Sequence, residues 1–166
     1  MTSIGPVLLA YDGTDLAAAA IEEAGRQLAD GRDALIACVW QPAEVGFVPV
    51  GGQQFDADDA VAVRRAAEET AAHGASLAER AGFRASVACA KGAPTWKGIL
   101  AVAEEHGASL IVIGSHERHG LVGHLAGSVT RDLLAHTALP VLVVRRTPGA
   151  GEDEGAAAQA GGDDRA

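Results

Sequence analysis

Residues 110–146, LIVIGSHERHGLVGHLAGSVTRDLLAHTALPVLVVRR, decide the fold of this chain. An apolar run, Leu110–Ile113, stops at Gly114, and a loop rich in Gly and His follows, ending in Gly127-Ser128. A helical pattern begins there, and Pro140 opens a second apolar run, Val141–Val144. Strand, glycine-rich loop, helix and strand in that order make a right-handed crossover unit. Its loop aims backbone N–H groups at the mouth of a sheet, where a helix N-terminus attracts anions because unpaired N–H groups and the helix dipole act together. The pattern is that of a phosphate cradle, with one discordant residue, Glu117.

Upstream, the same alternation repeats. Val7–Tyr11 is a short strand of the buried type, ended by Asp12-Gly13-Thr14, a turn with an N-cap candidate in Thr14. A helix over Asp15–Ala29 carries Leu16, Ala20, Ala24 and Leu28 on one face and stops at Asp30-Gly31. Ala34–Trp40 is apolar on both faces, as an interior parallel strand is. Gln41–Asp56, with Pro42, Pro49, Gly51 and Gly52, reads as a long surface loop. Asp58–Ala81 is an Ala-rich helix ended by Gly82, and Arg84–Ala90 a third strand. Pro94 suits the first turn of a helix with Ile99, Leu100, Val102 and Ala103 on its apolar face, closed by Gly107. The order βαβαβαβαβ predicts an α/β fold, a doubly wound parallel sheet with helices on both faces.

Composition narrows the function. The net charge is −9, and an acidic chain without a basic stripe is a poor partner for nucleic acid. No stretch approaches the ~20 apolar residues of a membrane span, and the N-terminus lacks the basic region of a signal peptide, so the expected location is cytoplasmic. Cys38 and Cys89 both sit in apolar runs and read as two buried thiols rather than a disulfide or zinc framework. Residues 147–166 are Gly- and Ala-rich and acidic and read as a disordered tail beyond a domain at 1–146.

Three phrases carry a resemblance to the universal stress protein family: VLLAYDGTDLAAAAIEEAGRQLA, AEEHGASLIVIGS and GHLAGSVTRDLLAHTALPVLVVR, in that order over about residues 4–146. It implies a five-stranded sheet of order 3-2-1-4-5, of the adenine-nucleotide alpha-hydrolase type, with a crevice between the ends of strands one and four. Some members bind ATP, with Mg2+ beside it, through a Gly, two residues, a Gly, nine residues, then Gly-Ser or Gly-Thr. Gly114 and Gly127-Ser128 stand at the correct spacing here, and Glu117 occupies the second glycine position. By the same resemblance Asp12 meets ribose hydroxyls, the backbone of Val39 meets adenine, Gly114 lies under the ribose, and Gly127, Ser128 and Val129 offer N–H groups and a hydroxyl to phosphates. The family pairs subunits through the last strand, here Val141–Arg145.

Simpler readings stand beside these. Asp12 is a ribose ligand or the turn residue before the first helix, and Ser128 is a phosphate ligand, an N-cap, or both. His116, His119 and His124 match no zinc spacing, and no metal site is expected. His106 and His136 suit helix C-termini. Lys91 and Lys97 flank the turn into the third helix as surface cations or anion ligands, and Trp40 is a base-stacking residue or a rim aromatic. No catalytic residue is evident: neither a nucleophile elbow nor a P-loop is present, so any ATP hydrolysis is expected to be slow and incidental. The residues thus predict a regulatory, stress-response homodimer that acts through a protein partner and binds an adenine nucleotide weakly or not at all. The alternatives are a competent ATP sensor and a slow nucleotide hydrolase.

Overall fold

A computed structural model describes residues 4–28, 31–41, 57–116 and 127–146. The elements are β1 (Val7–Ala10), α1 (Asp15–Leu28), β2 (Asp33–Trp40), α2 (Ala57–Arg80), β3 (Arg84–Lys91), α3 (Thr95–Glu105), β4 (Leu110–His116), α4 (Ser128–His136) and β5 (Val141–Arg146). The five strands are all parallel, in the order β3-β2-β1-β4-β5. The predicted fold class and strand order therefore hold.

The period-2 alternation of each strand divides the core into two layers. Val7, Leu9, Ile36, Cys38 and Val112 face α1 and α2, while Leu8, Leu35, Ala37, Ile111 and Ile113 face α3 and α4. β1 lies at the centre of the sheet, and Val7, Leu8 and Leu9 are each at most 1% exposed. Burying a side chain of that kind stabilises the fold by about 1.5–3 kcal/mol. Helices α2 and α3 end the same way. Gly82 and Gly107 adopt φ of 97° and 60°, the left-handed conformation in which a β-carbon is strained. The following N–H groups of Phe83 and Ala108 then reach back to the carbonyls of Ala78 and Ala103, closing a Schellman turn.

Several expectations shift. β4 runs through Gly114 to His116 instead of stopping at Ile113, because β5 pairs along the whole stretch, with Gly114 opposite Val144 and His116 opposite Arg146. β1 ends at Ala10, although Tyr11 N–H still donates to the Ala37 carbonyl at 3.0 Å. Only Cys38 is fully buried; Cys89, its register partner on β3, is partly exposed because β3 is an edge strand. Most of the expected 41–56 loop, the Glu117 loop and the acidic tail lie outside the described residues. Among the described residues no helix is long and apolar enough to cross a membrane.

The thiols set an alkaline limit on stability. Burial, then the neighbouring Cys89 and Asp12, push the Cys38 thiol from 9.0 up to about 11. Burial likewise raises Cys89 and Tyr11. An acid whose folded value exceeds its unfolded one contributes fully while both states keep the proton. Its contribution is lost as pH rises between the two values. Stability should therefore fall from about pH 9 upward, by on the order of 2 kcal/mol for Cys38. Urea unfolding across this range should show a shallower decline for Cys38→Val; an identical decline in both proteins would contradict the assignment.

Candidate functional site

In a parallel sheet every crossover leaves the C-terminal end of its strand, so the following helices all begin at the same edge. Where the chain turns left from β1 and right from β4, no helix covers that edge and a crevice opens. A cleft of about 260 Å³ lies there, and Asp12, Val39, Gly114, Gly127, Ser128 and Val129 all line it. The six residues singled out from sequence are thus brought together in one place. The starts of α1, α3 and α4 border it through Thr14, Thr95 and Ser128. Its apolar wall is Ala37, Val39, Ile99 and Ile113. Asp12 is the one charged side chain among the described residues that line it.

The β1–α1 turn is braced from two sides. Asp12 Oδ1 accepts from the Thr14 N–H at 3.0 Å and from the Thr14 hydroxyl at 2.6 Å. Thr14 Oγ1 in turn accepts from the Ala17 N–H at 3.2 Å, so Thr14 is the N-cap of α1 as expected. Both readings of Asp12 remain physically compatible: Oδ1 holds the turn, while Oδ2 has no hydrogen-bond partner among the described residues. Behind it Tyr11, 3% exposed, shares a 2.7 Å hydrogen bond with Nδ1 of His73 on α2.

At the other rim the capping expectation for Ser128 is overturned. Gly127 is the N-cap of α4, with φ −60° and ψ 162°, and Ser128 is the first helical residue, so its hydroxyl lies too far along to cap. That hydroxyl is exposed and has no hydrogen-bond partner among the described residues. Gly127 departs from expectation too, because its N–H donates to Ser115 Oγ at 3.2 Å. The first intrahelical bond is Arg131 N–H to the Gly127 carbonyl, which leaves the N–H groups of Ser128, Val129 and Thr130 without intrahelical partners.

The two glycines of the pattern differ in kind. A β-carbon on Gly114 would sit 2.8 Å from Leu16 Cγ and 2.9 Å from the Leu16 carbonyl oxygen, so this glycine lets α1 pack on β4. A β-carbon on Gly127 would meet nothing within 4 Å among the described residues. Val39 presses its methyls on Gly98 and Gly92, fixing α3 against the cleft.

Other sequence candidates fall elsewhere. Trp40 points to the α2 side and lines a separate groove with Lys91 and Cys89, since it alternates with Val39 along β2. Lys97 lies with Nζ 5.4 Å from the Trp96 ring centroid, and His136 stacks on that ring at 4.3 Å. His106 and His136 engage last-turn carbonyls of Val102 and Asp132 through Nδ1. Glu117, His119 and His124 lie outside the described residues, among which no group of metal-ligating side chains occurs. Sequence reading missed Ser115 and Thr130, both 2% exposed and both lining the cleft. Ser115 was legible in principle, two residues beyond Ile113 on one face of β4.

Comparison with known proteins agrees with this geometry. A profile of the Universal stress protein family matches residues 4–145. Universal stress protein Rv2005c of Mycobacterium tuberculosis is 33% identical over 156 residues, covering 86% of this chain and 46% of that protein. The chain thus spans about half the length of that curated relative. Among solved structures, MJ0577 of Methanocaldococcus jannaschii superposes with a TM-score of 0.69 at 22% identity, covering 89% of this chain and 100% of that one. The universal stress protein from Archaeoglobus fulgidus in complex with dAMP superposes with a TM-score of 0.58 at 22% identity, over 86% of this chain and 98% of that one. These two share the fold. With the family profile spanning nearly all of its described residues, the chain belongs to the universal stress protein family.

Proposed function

We propose that the β1/β4 cleft is an adenine-nucleotide site and that the protein is a regulatory, cytoplasmic stress-response homodimer. The bound nucleotide sets the surface shown to a protein partner. The observation that carries the reading is the convergence on one cleft of an apolar wall, the Ser128 hydroxyl, and an Asp12 oxygen and α4 first-turn N–H groups that have no partner among the described residues. Asp12 suits ribose hydroxyls, Val39 and Ile99 suit a base, and the first turn of α4 suits phosphate. The open space in front of Gly127 fits the same group. The dAMP complex of the Archaeoglobus relative supports an adenine nucleotide. Any Mg2+ would come with the phosphates. Triphosphate is expected to bind weakly, because Glu117 replaces a glycine of the pattern. Hydrolysis is expected to be slow and incidental. Calorimetry with ATP, AMP and adenosine tests the reading, and no heat from any of the three at millimolar ligand would contradict it.

Dimerisation rests on β5. It is an edge of the sheet, and a groove between it and α1 is lined by Leu28, Leu110 and Val141–Arg145. An apolar edge strand invites pairing, and a two-fold pair through Val141–Arg145 closes it without leaving a free end. Light scattering should give a dimer at micromolar concentration and a monomer for Val143→Lys. A monomeric parent, or a variant that stays dimeric, would count against this interface.

A further inference from the structure

Cys38 and Cys89 stand directly opposite each other in the parallel register of β2 and β3. Neighbouring strands run ~4.8 Å apart, inside the roughly 4.4–6.8 Å that a disulfide spans between α-carbons. Register partners also point to the same face of a sheet. Both thiols belong to the layer under α1 and α2, and the Cys89 thiol donates to the Ala67 carbonyl of α2 at 3.6 Å. Both are free thiols in this structure. They are the chain's two cysteines, so within one molecule each has the other as its sole possible disulfide partner. They differ in access. Cys38 is 5% exposed, whereas Cys89 lines the groove of Trp40, Arg64, Glu68, Val87 and Lys91. A reagent in that groove meets Cys89 first, and Cys38 waits behind it.

We infer that Cys38 and Cys89 form an oxidant-responsive dithiol, in which a hydroperoxide converts Cys89 to a sulfenic acid and Cys38 resolves it to an intramolecular disulfide. The Cys89 thiolate attacks the peroxide: an S–O bond forms, the O–O bond breaks, and the departing alkoxide takes up a proton as an alcohol. Cys89 gives up two electrons and the peroxide is reduced. The Cys38 sulfur then attacks that of Cys89. The S–S bond forms, the S–O bond breaks, and hydroxide leaves with the Cys38 proton as water. Burial and then Glu68 push the Cys89 thiol up, while Arg64 pulls it down. Little of it is thiolate near neutrality, so the response is slow. Parallel strands hold β-carbons farther apart than the ~3.8 Å typical of a disulfide, and β3, with one strand neighbour in the sheet, can move to close that gap. A bond closed in this way reopens readily in excess thiol. Cys38 lies between Ala37 and Val39, which line the cleft, so the tether forms directly behind the cleft wall. None of this depends on a nucleotide in the cleft.

The test treats the folded full chain with hydrogen peroxide and with cumene hydroperoxide. Thiols are then read by acid quench, unfolding, alkylation and mass spectrometry, on the parent, Cys38→Val, Cys89→Ala and Glu68→Gln. The parent should lose two hydrogens, yield a peptide cross-linked through Cys38 and Cys89, and regain both thiols in dithiothreitol. Its rate should rise about tenfold from about pH 7 to about pH 8, as the thiolate fraction does. Glu68→Gln, which removes a negative charge beside Cys89, should react about two- to fivefold faster. Cys38→Val should stop at a sulfenic acid on Cys89 that dimedone traps, and Cys89→Ala should leave Cys38 reduced. Should Cys38→Val fail to fold, the cross-linked peptide of the parent still decides. Three results in the parent would overturn the pair: sulfinic acid at Cys89 with Cys38 still alkylatable, links between chains alone, or both thiols intact at millimolar peroxide. Loss of the Cys38 thiol in Cys89→Ala as fast as in the parent would overturn the order of attack.

Discussion

Replacing Gly114 by alanine is expected to lower stability by about 1–3 kcal/mol, whereas Gly127→Ala should leave stability within about 0.5 kcal/mol and damage nucleotide binding instead. At position 114 a β-carbon would lie 2.9 Å from the backbone oxygen of Leu16. Backbone cannot rotate aside, so α1 must lift from β4, disturbing the layer in which Ala17, Ala20 and Val112 are buried. At position 127 the backbone, at φ −60°, suits any residue, and the new carbon meets nothing within 4 Å among the described residues. No described neighbour requires a glycine there; a phosphate lying against the backbone would. AMP affinity of Gly127→Ala should fall about tenfold or more. Urea unfolding and calorimetry on the two variants decide both halves. Wild-type stability in Gly114→Ala would refute the packing argument. Wild-type AMP affinity in Gly127→Ala would refute the placement of the phosphate.

Glu117→Gly is expected to tighten ATP binding about five- to thirtyfold, or ~1–2 kcal/mol. The loop that carries Glu117 joins β4, where Gly114 lines the cleft, to Gly127 at its other rim. A carboxylate on that span adds repulsion to a polyphosphate in a cleft whose described lining already holds Asp12 and no cation. The substitution removes the charge and completes the glycine pattern with Gly114 and Gly127-Ser128. Adenosine, which has no phosphate, should gain less. Equal ATP affinities in calorimetry would mean that the parent is already a competent ATP sensor, its carboxylate held clear of the site.

Much of this was legible before the structure, for identifiable reasons. The parallel sheet with helices on both faces followed from the alternation of β and α patterns, and its strand order from the resemblance carried by the three phrases. The same resemblance put Asp12, Val39 and Gly127 at one crevice, and the parallel topology gathers them because all three stand at C-terminal strand ends or helix starts. What stayed hidden depended on contacts between distant segments. Nothing local to Gly114 says that Leu16 lies over it. Ser128 reads as an N-cap by residue type, and only the backbone, with Gly127 extended and its carbonyl accepting from the Arg131 N–H, shows the cap one residue earlier. Cys89 reads as buried because its run is apolar, yet β3 is an outer strand and one side of it is open. Trp40 is the half-buried rim aromatic of its simpler reading, and its alternation with Val39 puts it on the opposite face from the cleft, away from a base-stacking role.

The most direct test of the central claim is an amide-shift titration of the ligand-free protein with AMP. The account predicts saturable shifts at Asp12, Val39, Ser128, Val129 and Thr130, with none in the groove formed by Trp40, Arg64 and Lys91 on the other face. Shifts confined to that groove, or none anywhere at millimolar AMP, would contradict it.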